Sequence, residues 1–159
     1  MSNANSQTRR LTVNAAFLKD IKDDNRDLKH LLDKIFPLAE HPQTAINHWQ
    51  ELVNLFADLR DQLALHFSLE EAYGYFDDAV VTAPRLSATA ECLKGQHPKL
   101  FETIRGLADK ASEIGSDSSE RVTRFLAEFN RFRAEFEKHE EDELKLILDA
   151  LEDDIGVGD

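Results

Sequence analysis

The chain reads as all-α, an up-down-up-down four-helix bundle of the 159 residues present. Three observations carry that prediction. Apolar residues recur at alternating steps of three and four through four long stretches, with almost no strand-like alternation. Three clusters of turn-forming residues separate those stretches: Pro37 to Pro42, Asp77 to Pro84, and Gly115 to Ser119. Within each stretch, polar residues break the apolar seam in a single zone.

The first stretch starts near Ala15, after a capping Asn14. Its seam is Leu18, Ile21, Asn25, Leu28, Leu32 and Ile35. Pro37 ends or kinks it. The second seam is Trp49, Leu52, Phe56, Leu59, Leu63, His66, Glu70 and Tyr73, and Gly74 marks its end. The third is Leu86, Ala90, Leu93, His97, Leu100, Ile104 and Leu107. Gly95 and Pro98 flank His97, so this helix is expected to kink there or to restart with Pro98 in its first turn. The fourth is Val122, Phe125, Phe129, Phe132, Phe136, His139, Glu143 and Leu146. Residues 1–13 are expected to be a disordered lead-in, 14–153 the bundle and 154–159 a frayed tail.

The polar interruptions are Asn25, His66 with Glu70, His97, and His139 with Glu143. In a bundle with short connections, residues of one layer lie equally far from the turn that joins their helices. The midpoint of Asn25 and His66 falls at Ala45 and Ile46, just past the first break. That of His66 and His97 falls at Val81 and Thr82, and that of His97 and His139 at Ser118, both inside breaks. The interruptions therefore share one layer. Asn25 and His66 are 41 residues apart and His97 and His139 are 42, so the halves read as a repeated helical hairpin.

Imidazoles and carboxylates inside a core need partners, because burying them unpaired is costly. His66 with Glu70 and His139 with Glu143 both have the i, i+4 spacing that puts two side chains on one helix face. A metal ion would satisfy these groups together. Nitrogen with carboxylate oxygen suits iron, manganese or zinc, and a carboxylate from each of two facing helices can bridge two ions. The mixed donors favour redox-capable iron over calcium, which takes oxygen alone, and they are unlike the cysteines of structural zinc sites.

The segments DDNRDLKHLLDKI, LALHFSLEEAYGYF, QHPKLFETI and FEKHEEDELKLILDAL together resemble the hemerythrin-like, or HHE cation-binding, domain. The resemblance covers about Phe17 to Leu151 and rests on HFxxEE and HxxxE in that order. It implies a four-helix bundle with a non-haem di-iron centre. His66, His97 and His139 would be terminal ligands, and Glu70 and Glu143 bridging carboxylates. Two positions depart from the family. Asn25 stands where the first helix carries a histidine, which would leave one ion weakly held, and Phe101 stands where respiratory members have a second third-helix histidine. The first makes Asn25 a weak ligand or an outer hydrogen-bonding partner of the ligands. The second argues against bulk oxygen carriage. Tyr73, one turn past Glu70, is read as core packing or as another outer partner.

Other features have plainer readings. His30, His41 and His48 lie off the seams and are expected in solvent. Glu71, Glu140, Glu141 and Asp142 read as a solvated face, with Glu71 or Glu140 as an optional outer partner; Cys92 reads as a small buried filler. A ferritin-like oxidase would show Glu-x-x-His, but the residues three before the layer histidines are Leu63, Lys94 and Phe136. A formal net charge of −12, from 31 acidic and 19 basic residues, disfavours nucleic acid and anionic membranes as partners. The single cysteine points to a reducing, cytoplasmic setting. The expected function is non-haem iron binding, with two ions or one, serving oxygen, nitric oxide or peroxide sensing or iron handling. The alternative is a degenerate, metal-free bundle used as an interaction domain.

Overall fold

The computed structural model describes residues 2–72, 79–81, 83–115 and 118–157, with side chains described within 19–71, 79–81, 83–115 and 118–152. The helices are α1 (Ser2–Ala39), α2 (Pro42–Asn47), α3 (Trp49–Ala72), α4 (Ser87–Glu113) and α5 (Ser119–Val157), with a 3₁₀ turn at Pro84–Leu86. Among the described residues there is no strand. α1 packs along α3, α3 along α4, and α4 along α5, while the short α2 lies against α5. This is the all-α bundle that the seams require.

Helix limits differ from the periodicity in four places. α1 is already helical at Ser2, upstream of Ala15, since no glycine or proline precedes Pro37. Pro37 sits inside α1 on an exposed face, and the helix stops two residues later. Pro42 then takes the first turn of α2, where its missing N–H has no helical partner to lose. α4 runs unbroken through Gly95 and Pro98. α5 continues past residue 153 to Val157. At the other end of α5, Ser118 acts as the cap: its Oγ accepts from the Arg121 N–H at 3.3 Å.

Two apolar clusters fill the bundle. The larger holds Ile35, Leu52, Phe56, Leu59, Leu63, Ile104, Phe125 and Phe129, among others. Phe56 stands edge-on between Phe125 (5.0 Å) and Phe129 (4.9 Å). Trp49 closes this end, its indole N–H donating to the carbonyls of Ala111 (3.1 Å) and Ile114 (2.8 Å). Trp49→Phe deletes that donor and should lower unfolding free energy by about 1–2 kcal/mol in urea titrations. The smaller cluster holds Ala83, Leu86, Ala90, Leu93, Leu146 and Ala150. Leu63 and Leu93 belong to different clusters, and the polar layer lies between the two.

Gly95 is inside α4, and a Cβ there would meet nothing within 4 Å. Gly95→Ala should therefore raise stability by about 0.5–1 kcal/mol, read as a higher urea midpoint, because alanine loses less backbone entropy on folding.

Candidate metal centre

The five seam ligand types are all buried: His66, Glu70, His97, His139 and Glu143 are each 5 % exposed or less. Three helices deliver them, His66 and Glu70 from α3, His97 from α4, and His139 and Glu143 from α5. Their donor atoms fall into two overlapping sets. Glu70, His97, His139 and Glu143 form one, and His66, Glu70, Glu140 and Glu143 the other; within each set the donors lie within 4.8 Å of one another. Glu70 and Glu143 belong to both.

The contacts show how the sets join. His66 Nε2 lies 2.8 Å from Glu70 Oε1 and 2.7 Å from Glu140 Oε1. Glu70 turns its other oxygen, Oε2, toward His97 Nε2 at 2.8 Å. That same His97 nitrogen is 3.2 Å from Glu143 Oε1, which also touches His139 Nε2. Glu70 thus links His66 to His97, and Glu143 links His97 to His139.

Outer partners fix the rings. His66 Nδ1 lies 2.5 Å from Asp24 Oδ2, and Asp24 Oδ1 accepts from Gln62 Nε2 at 2.8 Å. His139 Nδ1–H donates to Gln96 Oε1 at 2.7 Å, which leaves the Nε2 lone pair pointing into the cluster. His97 Nδ1 faces Glu71 Oε1 at 3.4 Å. Phe67 stacks on His97 with centroids 4.6 Å apart, and Phe136 stands edge-on to His66 at 5.9 Å. These rings pack against the imidazoles.

The charge distribution calls for cations. Burial alone would lower the His66 pKa, but Asp24, Glu140 and Glu70 outweigh it and hold the ring up at about 12. Burial likewise opposes protonation of His97, and Glu143 and Glu70 raise it to about 9. For Glu70, burial pushes the pKa up, yet His66 and His97 bring it below the usual carboxylate value. A cation could take the place of those protons. Two buried atoms, Glu70 Oε2 and His139 Nε2, have no hydrogen bond at all. Each lies beside an opposite group without the alignment a hydrogen bond needs. Unsatisfied donor atoms of this kind, converging with imidazoles and carboxylates, fit a bound metal ion.

Several expectations change. Asn25 is exposed and lies outside the layer. The residue that α1 buries there is Asp24, in the register Asp24, Leu28, Leu31, Ile35. Both registers contain Ile21, Leu28 and Ile35, so spacing alone does not choose between them. Glu140 is drawn from its expected solvated face to His66, with its side chain one-third exposed. Its signal was its place beside His139, within reach of the seam through a long side chain. Gln62 and Gln96, one turn before His66 and one residue before His97, gave no signal. Cys92 is exposed rather than a buried filler. His30, His41 and His48 are exposed, as expected. Tyr73 lies outside the described residues.

Comparison with curated proteins and with solved structures returned no match. The family model for the hemerythrin HHE cation binding domain matches residues 16–151, which include every residue of the layer. With a helical bundle of the matching kind and a buried histidine–carboxylate cluster able to hold metal, the chain belongs to the hemerythrin HHE cation-binding domain family.

Proposed function

We propose that this protein holds non-haem iron, as a pair of ions, and uses it in oxygen, nitric oxide or peroxide sensing or in iron handling rather than in bulk oxygen carriage. The observation that carries the proposal is the sharing of Glu70 and Glu143 by two donor sets. A carboxylate has two oxygens and can hold one ion with each, so two shared carboxylates suit a pair. In this reading His97 and His139 cap one ion and His66 the other. Iron held there would supply reversible electron transfer and an open position for a small ligand.

The chain's own groups then do three things. Asp24 and Gln96 fix the tautomers of His66 and His139, so that Nε2 of each is the donor. Phe67 and Phe136 pack against the imidazoles of His97 and His66 and hold their planes. An open hollow of about 230 Å³ between α3 and α4, bordered by Phe67, His97 and Phe101, gives a diatomic or a peroxide a short approach to His97. Phe101 makes that approach apolar, where a further imidazole would have occupied it. The exposed thiol of Cys92 suits a reducing, cytoplasmic setting. No helix among the described residues is long and apolar enough to cross a membrane.

A second reading has its own support. Hydrogen bonds satisfy much of the layer, His66 with Asp24 above all, so a metal-free bundle serving as an interaction domain would also hold together. Aerobic loading with iron(II), desalting and elemental analysis separate the two. Retained iron with near-ultraviolet ligand-to-metal charge-transfer absorption is expected; no retained iron would leave the second reading.

A further inference from the structure

The two donor sets are not equivalent. One has two imidazoles, His97 and His139, beside Glu70 and Glu143; the other has one imidazole, His66, beside three carboxylates, Glu70, Glu143 and Glu140. We propose that the layer is a pair of unequal cation sites: a nitrogen-rich site that favours later first-row ions, and a carboxylate-rich site, closed by Glu140, that takes a hard divalent cation such as manganese(II) or iron(II) and exchanges it. This rests on the metal-pair reading above.

Four features support it. First, among its described residues α1 supplies no donor to the second set: Asn25 is exposed, and both oxygens of Asp24 are engaged, by His66 and Gln62. Glu140 fills that gap from α5, with Oε1 2.7 Å from His66 Nε2. Second, Glu70 is 5 % exposed, and its Oε2 has no hydrogen bond, so a buried acceptor shared by both sites awaits a cation. Third, donor type sorts metals. Imidazole raises affinity for later first-row ions, while carboxylates suit manganese(II) and its harder neighbours. Fourth, access differs. The His97 and His139 side chains are 2 % and 1 % exposed, whereas that of Glu140 is 33 % exposed, so the carboxylate-rich set alone has a ligand that reaches solvent. Charge agrees with two ions: Asp24, Glu70, Glu140 and Glu143 are four carboxylates, and two divalent cations neutralise them when the imidazoles are neutral.

Manganese(II) is the direct probe, because its free ion is counted by electron paramagnetic resonance. Chelated, full-length protein titrated anaerobically with manganese(II) should bind two ions per chain in two resolved steps. Glu140→Gln keeps size and fold, checked by circular dichroism, and should lose the step of the carboxylate-rich site alone. Its affinity should fall by more than the roughly 10- to 100-fold that removing an outer partner costs. Glu141→Gln, an exposed neighbour, should leave both steps unchanged. Two equal steps, or two steps unaltered in Glu140→Gln, would overturn the inequality while leaving the metal pair intact. One step at most in the unaltered protein would overturn it too, and failure to bind manganese(II), iron(II) and zinc(II) alike would remove the metal reading with it.

Discussion

Glu143→Ala should abolish stable iron loading. The carboxylate stands in both donor sets and touches His97 and His139, so its loss opens both sites together. His139→Ala should also reduce loading sharply, by removing an imidazole 1 % exposed whose Nε2 has no hydrogen-bond partner to lose. The expected drop exceeds the roughly 10- to 100-fold in affinity that an outer partner contributes. His30→Ala is the control, since His30 is exposed and outside both sets. Elemental analysis after identical loading and desalting reads all three. Equal losses in the three variants would show that α5 does not aim its polar face at the ion.

Metal and protons should compete for the layer, with opposite effects of pH on the chelated and the loaded protein. His97, raised to about 9, and His66, raised to about 12, bind protons more tightly folded than unfolded. Their contribution to the stability of chelated protein is complete below the unfolded value near 6.5. It is lost as pH rises through each folded value, so for His97 the loss falls between about 6.5 and 9 and is on the order of 1–3 kcal/mol. Glu70 acts at the acid end: its lowered pKa adds stability above the ordinary carboxylate value, which is lost as pH falls through the folded one. A metal ligand must be a neutral imidazole, so ion binding releases these protons and tightens as pH rises. Calorimetry should show the melting midpoint of chelated protein falling from pH 6.5 to 9, while the increment given by a fixed metal concentration grows. At a hundred times the dissociation constant that increment is about 2.7 kcal/mol. A midpoint indifferent to saturating metal at both pH values would favour the metal-free reading.

How much of this was legible in the sequence depended on side-chain reach. Seams at three- and four-residue steps located Phe56, Leu63, Leu100, Phe129 and Phe136 in the core, because only an apolar stripe can be buried in a bundle. The same spacing brought His66, Glu70, His97, His139 and Glu143 to one level, since equal distances from the turns fix the layer. Periodicity failed where two registers were equally good. Asn25 and Asp24 are neighbours on α1, and Leu28 and Ile35 serve either frame. It failed again for Glu140, whose Cα is off the seam but whose flexible chain carries the carboxylate back to His66. It could not foresee Gln96, whose role depends on α5 placing His139 beside it. Pro98 left a kink or a restart open, and the restart is not what forms. On the exposed side of α4 its ring is accommodated, and the helix continues.

Whether an ion sits among these side chains is settled by the metal content of the protein as isolated, purified without added metal or chelator and measured by mass spectrometry of the elements against chain concentration. One to two iron atoms per chain, lost in Glu143→Ala, is the result expected of a cluster in which buried Glu70 Oε2 and His139 Nε2 converge without a hydrogen bond. Protein that carries no first-row metal, and takes up none when offered, would mean that histidines and carboxylates brought together between two apolar clusters serve only one another.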